Sequence, residues 1–269
     1  KKGQLTPHYH YVSRPPFTEA EAVRRAIYLA GQTDTPLYIA HMTCREAIAE
    51  LQKAKGTGQR VSGETCTHYL TTTKEVLDNP DFNEAAKFVC SPALRDREDC
   101  EALWQALSDG LLTAVSSDHC GIDVAELKQA GRNDFTQIPN GSPGAGDRLH
   151  MVWTEGVCTG KLTRQKFVDV IATQPAKING IYPRKGTLAV GSDADIVIFD
   201  PNYEGTVHLA DNPNGVDYNL YEGRRQSGRV ETVLLRGQVV VENAKFVGRY
   251  GQGKFIPANM YASGYENRN

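Results

Sequence analysis

This sequence predicts an α/β fold followed by a separate β unit, and three observations predict it. Through the first two thirds of the chain, short apolar runs alternate with stretches of helical periodicity. Polar residues able to do chemistry close those runs. From Gly186 onward, Val- and Ile-rich runs such as TLAVGSDADIVIFDP and RVETVLLRGQVVVENAKF follow one another with no helical period between them.

The start, KKGQLTPHYHYVSRPP, reads as irregular chain, because two prolines close it and no apolar period is visible. A helix is expected next. Thr18 and Glu21 have capping-box spacing, and Val23, Ala26, Ile27 and Ala30 fall on one face before Asp34, Thr35 and Pro36 end the period. The run from Leu37 to Met42 is short, apolar and bounded by turn residues, which suits a strand of a buried parallel sheet. Thr43 and Glu46 repeat the capping-box spacing ahead of Ala47, Ile48 and Leu51. Residues 59–64 read as a strand, 74–110 as largely helical and 112–116 as a strand again. The Gly- and Pro-rich segment 131–146 then interrupts the alternation, and loops of that length in compact domains are usually functional. Helices resume around 149–157, 164–171 and 175–179. The boundary to the β unit is placed so that 1–182, 183–247 and a tail, 248–269, are distinct. The tail carries four glycines, three asparagines and three tyrosines, so it either stays mobile or packs on another subunit.

Charge and cysteine content narrow the function classes. With 30 Lys and Arg against 32 Asp and Glu, the net charge of −2 provides no field of one sign for nucleic acid or a membrane surface. A small neutral-to-polar ligand fits better. Six cysteines (Cys44, Cys66, Cys90, Cys100, Cys120, Cys158) form no CxxC pairs in a chain too large to need staples, which points to reduced thiols in the cytoplasm. No secretory pattern is present, and no apolar run approaches the roughly 18 residues of a membrane span.

In a parallel α/β barrel the active site gathers at the C-terminal ends of the strands. His41 closes LYIAH, and Asp118 closes LLTAVSSD with His119 and Cys120 directly after it. An imidazole and a carboxylate at corresponding positions of two strands would converge on one point, as a hydrolytic zinc site requires. Taken singly, His41 also reads as a satisfied core histidine and Asp118 as a helix N-cap.

Several strings resemble the dihydropyrimidinase/hydantoinase family: PLYIAHMTCREA, SGETCTHYL, KFVCSPALRD, SSDHC, DFTQIPNGSPGAGDRL, PAKINGIYPRKGTLAVGSDADIVIFDP and VDYNLYEGRRQSGRV, in the family's order across residues 10–255. The resemblance implies the C-terminal portion of a (β/α)8 TIM barrel of the metal-dependent hydrolase type plus a β-sandwich portion. It implies two zinc ions bridged by a carbamylated lysine, hydrolysing a cyclic amide in dihydropyrimidines or 5-substituted hydantoins. His41 matches the strand-6 histidine ligand. Asp118 matches the strand-8 aspartate that binds metal and acts as general base. Ser91 in CSP and Asn140 in IPNG match positions whose backbone groups hold the cyclic imide or ureide. The family's HxH pair, bridging lysine, strand-5 histidine and orienting tyrosine correspond to nothing in this chain, so by itself it is expected to be an inactive fragment. His8 and His10 spell HxH, but they lie in a loop before SRPP, and the family does not use that position as a ligand. Thr67 and His68 stand where hydantoinases usually have Pro and Gln, and a histidine at 68 is more typical of allantoinases. The alternatives are therefore an allantoinase-like hydrolase, or a non-catalytic dihydropyrimidinase-related protein, although such relatives typically replace the histidine or the aspartate that His41 and Asp118 retain. A homo-oligomer, dimer or tetramer, is expected.

Overall fold

The apolar runs of the first two thirds pair with one another. In the computed structural model, which describes residues 3–259, β1 (Leu37–Ile39), β2 (Val61–Cys66) and β3 (Ala114–Ser116) form a parallel sheet in that order. Leu37 pairs with Val61 and Ile39 with Gly63, while Glu64 pairs with Ala114 and Cys66 with Ser116. Five of the six β2 residues are buried, as a central strand covered by helices must be. Its cover comes from α2 (Pro16–Gln32), α3 (Arg45–Gly56) and α6 (Arg97–Ser108), whose Val23, Leu51, Leu103 and Leu107 share one core with Cys66 and Val115. Trp104 closes that core and donates its Nε1 proton to the Leu70 carbonyl at 3.0 Å.

Three local expectations fail, two of them because distant residues take over the local bonds. Residues 8–12 are not irregular but form a one-turn helix, α1 (His8–Val12), held where His10 Nε2 meets the Cys90 carbonyl at 2.7 Å. Helix α2 starts at Pro16 rather than being capped by Thr18, whose hydroxyl donates to the Pro15 carbonyl. Proline suits a first helical position, where its missing N–H would have no partner in any case. Thr43 does not cap α3 either, because its amide and hydroxyl both donate to Glu19, and the Arg45 amide is taken by Asp99 of α6 at 3.0 Å.

The expected helical stretch 74–110 is broken into a 3₁₀ turn (Lys74–Asp78), α5 (Phe82–Ala86) and α6, with Pro80 and Pro92 in the gaps, where the residue before each proline resists helical backbone. Short α4 (Thr67–Thr71) follows β2 directly. Later, α7 (Arg148–Val152) runs into a π-helical turn (Trp153–Val157), and α8 (Arg164–Val168) into a second one (Asp169–Thr173) before α9 (Gln174–Ile178).

Beyond residue 186 the chain builds one antiparallel sheet in chain order, β4 (Ile196–Thr206), β5 (Arg225–Leu235), β6 (Gln238–Glu242) and β7 (Lys245–Phe246). The β5–β6 turn places Arg236 and Gly237 at φ 50° and 78°, the backbone a two-residue hairpin favours. A sandwich needs a second sheet packed on the first, and among the described residues none does so. The sheet rests instead on the helical layer. Trp153 packs edge-on to Phe199 at 4.9 Å, Gly228 at φ 76° leaves room where a β-carbon would strike both rings, and Thr154 bonds the Ser227 backbone. Residues 248–259 hold no helix or strand, and 260–269 of the tail lie outside the described residues. No helix among the described residues is long and apolar enough to cross a membrane.

One buried ion pair joins most of these parts. Arg95 Nη2 lies 3.1 Å from Glu19 Oε2, and both side chains are at most 10% exposed. Arg95 Nε also donates to the Thr43 hydroxyl at 2.9 Å. Replacing Arg95 by Met leaves Glu19 charged, buried and short of a donor, so the expected loss in urea unfolding is roughly 3–5 kcal/mol. The double variant Arg95→Met, Glu19→Leu should regain most of that loss, and equal losses in single and double variants would contradict the pairing.

Candidate active site

Because β1, β2 and β3 run parallel, their C-terminal ends share one edge of the sheet. His41 stands two residues past the end of β1 and Asp118 two residues past the end of β3. They are not on adjacent strands, since β2 lies between them and leads directly into Thr67 and His68 of α4. His41 and Asp118 both have left-handed backbone, φ 40° and 44°. That conformation costs a residue with a β-carbon about 1–2 kcal/mol, and strain held at two matching positions is a mark of functional sites.

The electrostatics tie these strand ends together. His68 is buried, and its pKa is pushed down to about 3, first by burial and then by the neighbouring His41. Its Nε2 has no hydrogen-bond partner among the described residues. Burial holds the Cys66 and Tyr69 protons on well above their usual range, and the charge of Asp118 adds to both effects. Below the edge, Glu64 spans all three strands, accepting from Tyr38 of β1 at 2.6 Å and from Ser116 of β3 at 2.8 Å. Sequence reading missed Glu64, though a carboxylate inside an otherwise buried strand was the available signal.

Ser91 and Asn140, 49 residues apart, meet, with the Ser91 hydroxyl donating to Asn140 Oδ1 at 2.9 Å. The Gly141 amide bonds the Val89 carbonyl at 3.0 Å, so the CSP and IPNG segments lie side by side. His41 and Ser91 line a cavity of about 590 Å³ together with Arg14, Glu19, Tyr38 and Arg95, whereas Asp118 is not on its wall. The Nδ1 of His119 accepts from the loop amides of Gly144 and Ala145 at 3.3 and 3.4 Å.

His41 and Asp118 are the only pair of candidate ligands at this edge from the sequence reading, and among the described residues no group of three or more His, Cys, Asp or Glu could hold a metal ion. His8 pairs with Asp78 at 2.7 Å. His10 is buried, and since a carbonyl can only accept, its Nε2 carries the proton that meets Cys90. Burial lowers its pKa to about 4.

The sequence pattern of the amidohydrolase family matches residues 27–240. The chain belongs to the amidohydrolase family. This amidohydrolase chain is 48% identical over 260 residues to a D-hydantoinase of Ralstonia pickettii, covering 97% of the chain and 56% of that enzyme. It is 40% identical over 254 residues to a dihydropyrimidinase of Arabidopsis thaliana, covering 94% of the chain and 48% of that enzyme. The crystal structure of a dihydropyrimidinase from Brevibacillus agri superposes with a TM-score of 0.95 at 44% identity, covering 97% of this chain and 56% of that one. The amidohydrolase chain thus spans about half the length of the curated relatives it matches, and it corresponds to their C-terminal part.

Two predictions follow from the geometry. Asp118 is exposed, so Asp118→Gly sacrifices little packing and relieves the left-handed backbone; urea unfolding without metal should show a gain of about 1 kcal/mol. A loss of stability would show that the turn is not strained. The second concerns His10, whose folded pKa of about 4 lies below the 6.5 of an unfolded histidine, so the unfolded chain binds the extra proton first. Its contribution is complete above pH 6.5 and is lost as the pH falls toward 4. His10→Phe should flatten that part of the stability profile, and an unchanged slope would exclude His10 as its source.

Proposed function

We propose that this chain supplies part of the active site of a metal-dependent cyclic amidohydrolase, which opens a ring C–N bond in dihydropyrimidines or 5-substituted hydantoins. The observation that carries this reading is the placement of His41 and Asp118, each two residues past the end of its strand and each in left-handed backbone, on one edge of a parallel sheet. The relatives named D-hydantoinase and dihydropyrimidinase support it. In this reading residues 1–182 contribute three strands of a (β/α)8 barrel, whose catalytic residues sit at the C-terminal strand ends. Residues 183–247 contribute to a β-sandwich. Residues 248–269 form its tail.

Amidohydrolases are generally metal-dependent. An imidazole and a carboxylate are fitting zinc donors, but a hydrolytic zinc site needs about three protein ligands per metal. His41 and Asp118 would hold zinc only as members of a larger set, completed by residues outside this stretch and by a carbamylated bridging lysine. When bound, zinc supplies Lewis acidity and draws the pKa of water toward 7. Asp118, exposed at the strand end, takes the proton from the attacking water and passes it to the departing ring nitrogen. The backbone at Ser91 and Asn140 offers N–H and C=O groups that fix the planar ring by hydrogen bonds rather than by charge. Retention of both His41 and Asp118 argues against a non-catalytic relative. Six free cysteines among the described residues fit a cytoplasmic enzyme.

The test has two parts. The 269-residue polypeptide alone should bind less than two equivalents of zinc, and its hydrolysis of dihydrouracil and hydantoin should stay at background. In the holoenzyme that contains this chain, Asp118→Asn should lower kcat by about 10²–10⁴ while leaving KM nearly unchanged. His41→Ala should lower the zinc content. Full zinc loading and turnover by the polypeptide alone, or normal kcat in Asp118→Asn, would overturn the reading.

A further inference from the structure

The loop after Asp118 contains a lysine that the proposed chemistry does not use. Lys128 begins a 3₁₀ turn (Lys128–Gly131), and its side chain is completely buried. An ammonium has three donors and no acceptor. All three are spent on backbone carbonyls, those of Gly141 at 2.7 Å, Ala86 at 2.8 Å and Val89 at 3.3 Å. Among the described residues no carboxylate pairs with it, and the Tyr218 ring lies 5.9 Å away. Burying a cation on dipoles alone is costly, and desolvation draws its pKa down to about 8.

Closing the C-terminal end of α5 would account for the contact to Ala86. It does not account for Gly141, which belongs to a different segment and receives the shortest bond. Two of the three carbonyls belong to the two strings that meet at the candidate site, since Val89 precedes Ser91 by two residues and Gly141 follows Asn140. The Gly141 amide bonds Val89 in the same place, so Lys128 and one backbone bond fasten the strings together. No side chain at 141 could share this task. A β-carbon on Gly141, at φ 149°, would lie 2.8 Å from Cys120.

We propose that Lys128 is a positioning residue for substrate, setting the spacing between the Ser91 and Asn140 backbones that grip the two sides of a planar cyclic amide. The inference rests on the substrate role proposed above for those two segments. Lys128 touches neither substrate nor metal ligand, so it acts on binding more than on the chemical step. A residue that merely fills space would alter stability and leave the KM of folded enzyme where it was.

The test uses the holoenzyme containing this chain, with dihydrouracil as substrate. Lys128→Met should raise KM about tenfold or more with kcat changed less than about threefold, because three carbonyls lose their common donor. Lys128→Gln retains two N–H donors and should give an intermediate KM, which keeps the test open if the Met variant does not fold. Amide hydrogen exchange of the Met or Gln variant should quicken at 89–91 and 140–142 while α6 stays protected. Exchange in an Asp118→Asn background with and without hydantoin separates the two layers of inference. If hydantoin fails to protect 140–142 there, the substrate role of those segments falls and the Lys128 proposal with it. If hydantoin does protect them but KM is unchanged in folded Lys128→Met or Lys128→Gln, only the role of Lys128 is overturned.

Discussion

The buried contact between Arg95 and Glu19 is the constraint around which the site region is arranged. Glu19 lies near the start of α2, Thr43 in the turn after β1 and Arg95 after the CSP segment, and one carboxylate bonds both of the others. Arg95 also donates to the Arg14 carbonyl ahead of α2. Each charge is thus satisfied at several points, the condition under which a buried pair can be held without a large penalty. Its effect is geometric. His41 lies two residues before Thr43 and Ser91 four before Arg95, so the pair fixes the distance between a strand end and a ring-binding segment on the same cavity wall.

Lys128 solves a related problem by other means. Arg95 faces a carboxylate, whereas Lys128 faces only carbonyl oxygens, and Lys128 bonds the start of the 86–95 segment while Arg95 stands at its end. The loop that crosses from the sheet edge to IPNG is anchored by Val124 in one small core, with Met151 and Tyr221, and by Phe135 and Ile138 in another, with Leu77 and Val89. Lys128 adds a polar anchor between the two apolar ones. Such a loop can vary in sequence while its backbone remains fixed at a few points, as expected where a scaffold presents a binding segment.

Much of the fold was legible because apolar period and strand length are local properties. The runs that became β1, β2 and β3, and the strands after 186, were each marked by composition alone. Both capping boxes misled: the Thr18 hydroxyl donates to the nearby Pro15 carbonyl, and the Thr43 amide and hydroxyl both donate to Glu19. The helix at 8–12 was hidden because its stability comes from the His10 contact to Cys90, 80 residues away. At the site, strand-end position singled out His41 and Asp118, whereas Ser91 and Asn140 were singled out by a resemblance, and their contact is visible only in the folded chain. Lys128 could not have been found this way. One lysine in a polar loop looks solvated until the chain around it is folded.

The contact between the helical layer and the second sheet has a further consequence. The Thr154 hydroxyl accepts from the Ser227 amide at 3.0 Å, and its single proton faces the Ser227 and His150 carbonyls, all in a buried seam. Half of that seam lies in a π-helical turn and half in β5, which are 73 residues apart in the chain. Exchanging residues 196–246 for the corresponding sheet of a relative would therefore carry one half and leave the other behind. The unit that recombines intact in a chimera is the sheet together with the segment from His150 to Val157, and a crossover placed between them would join two halves shaped for different partners.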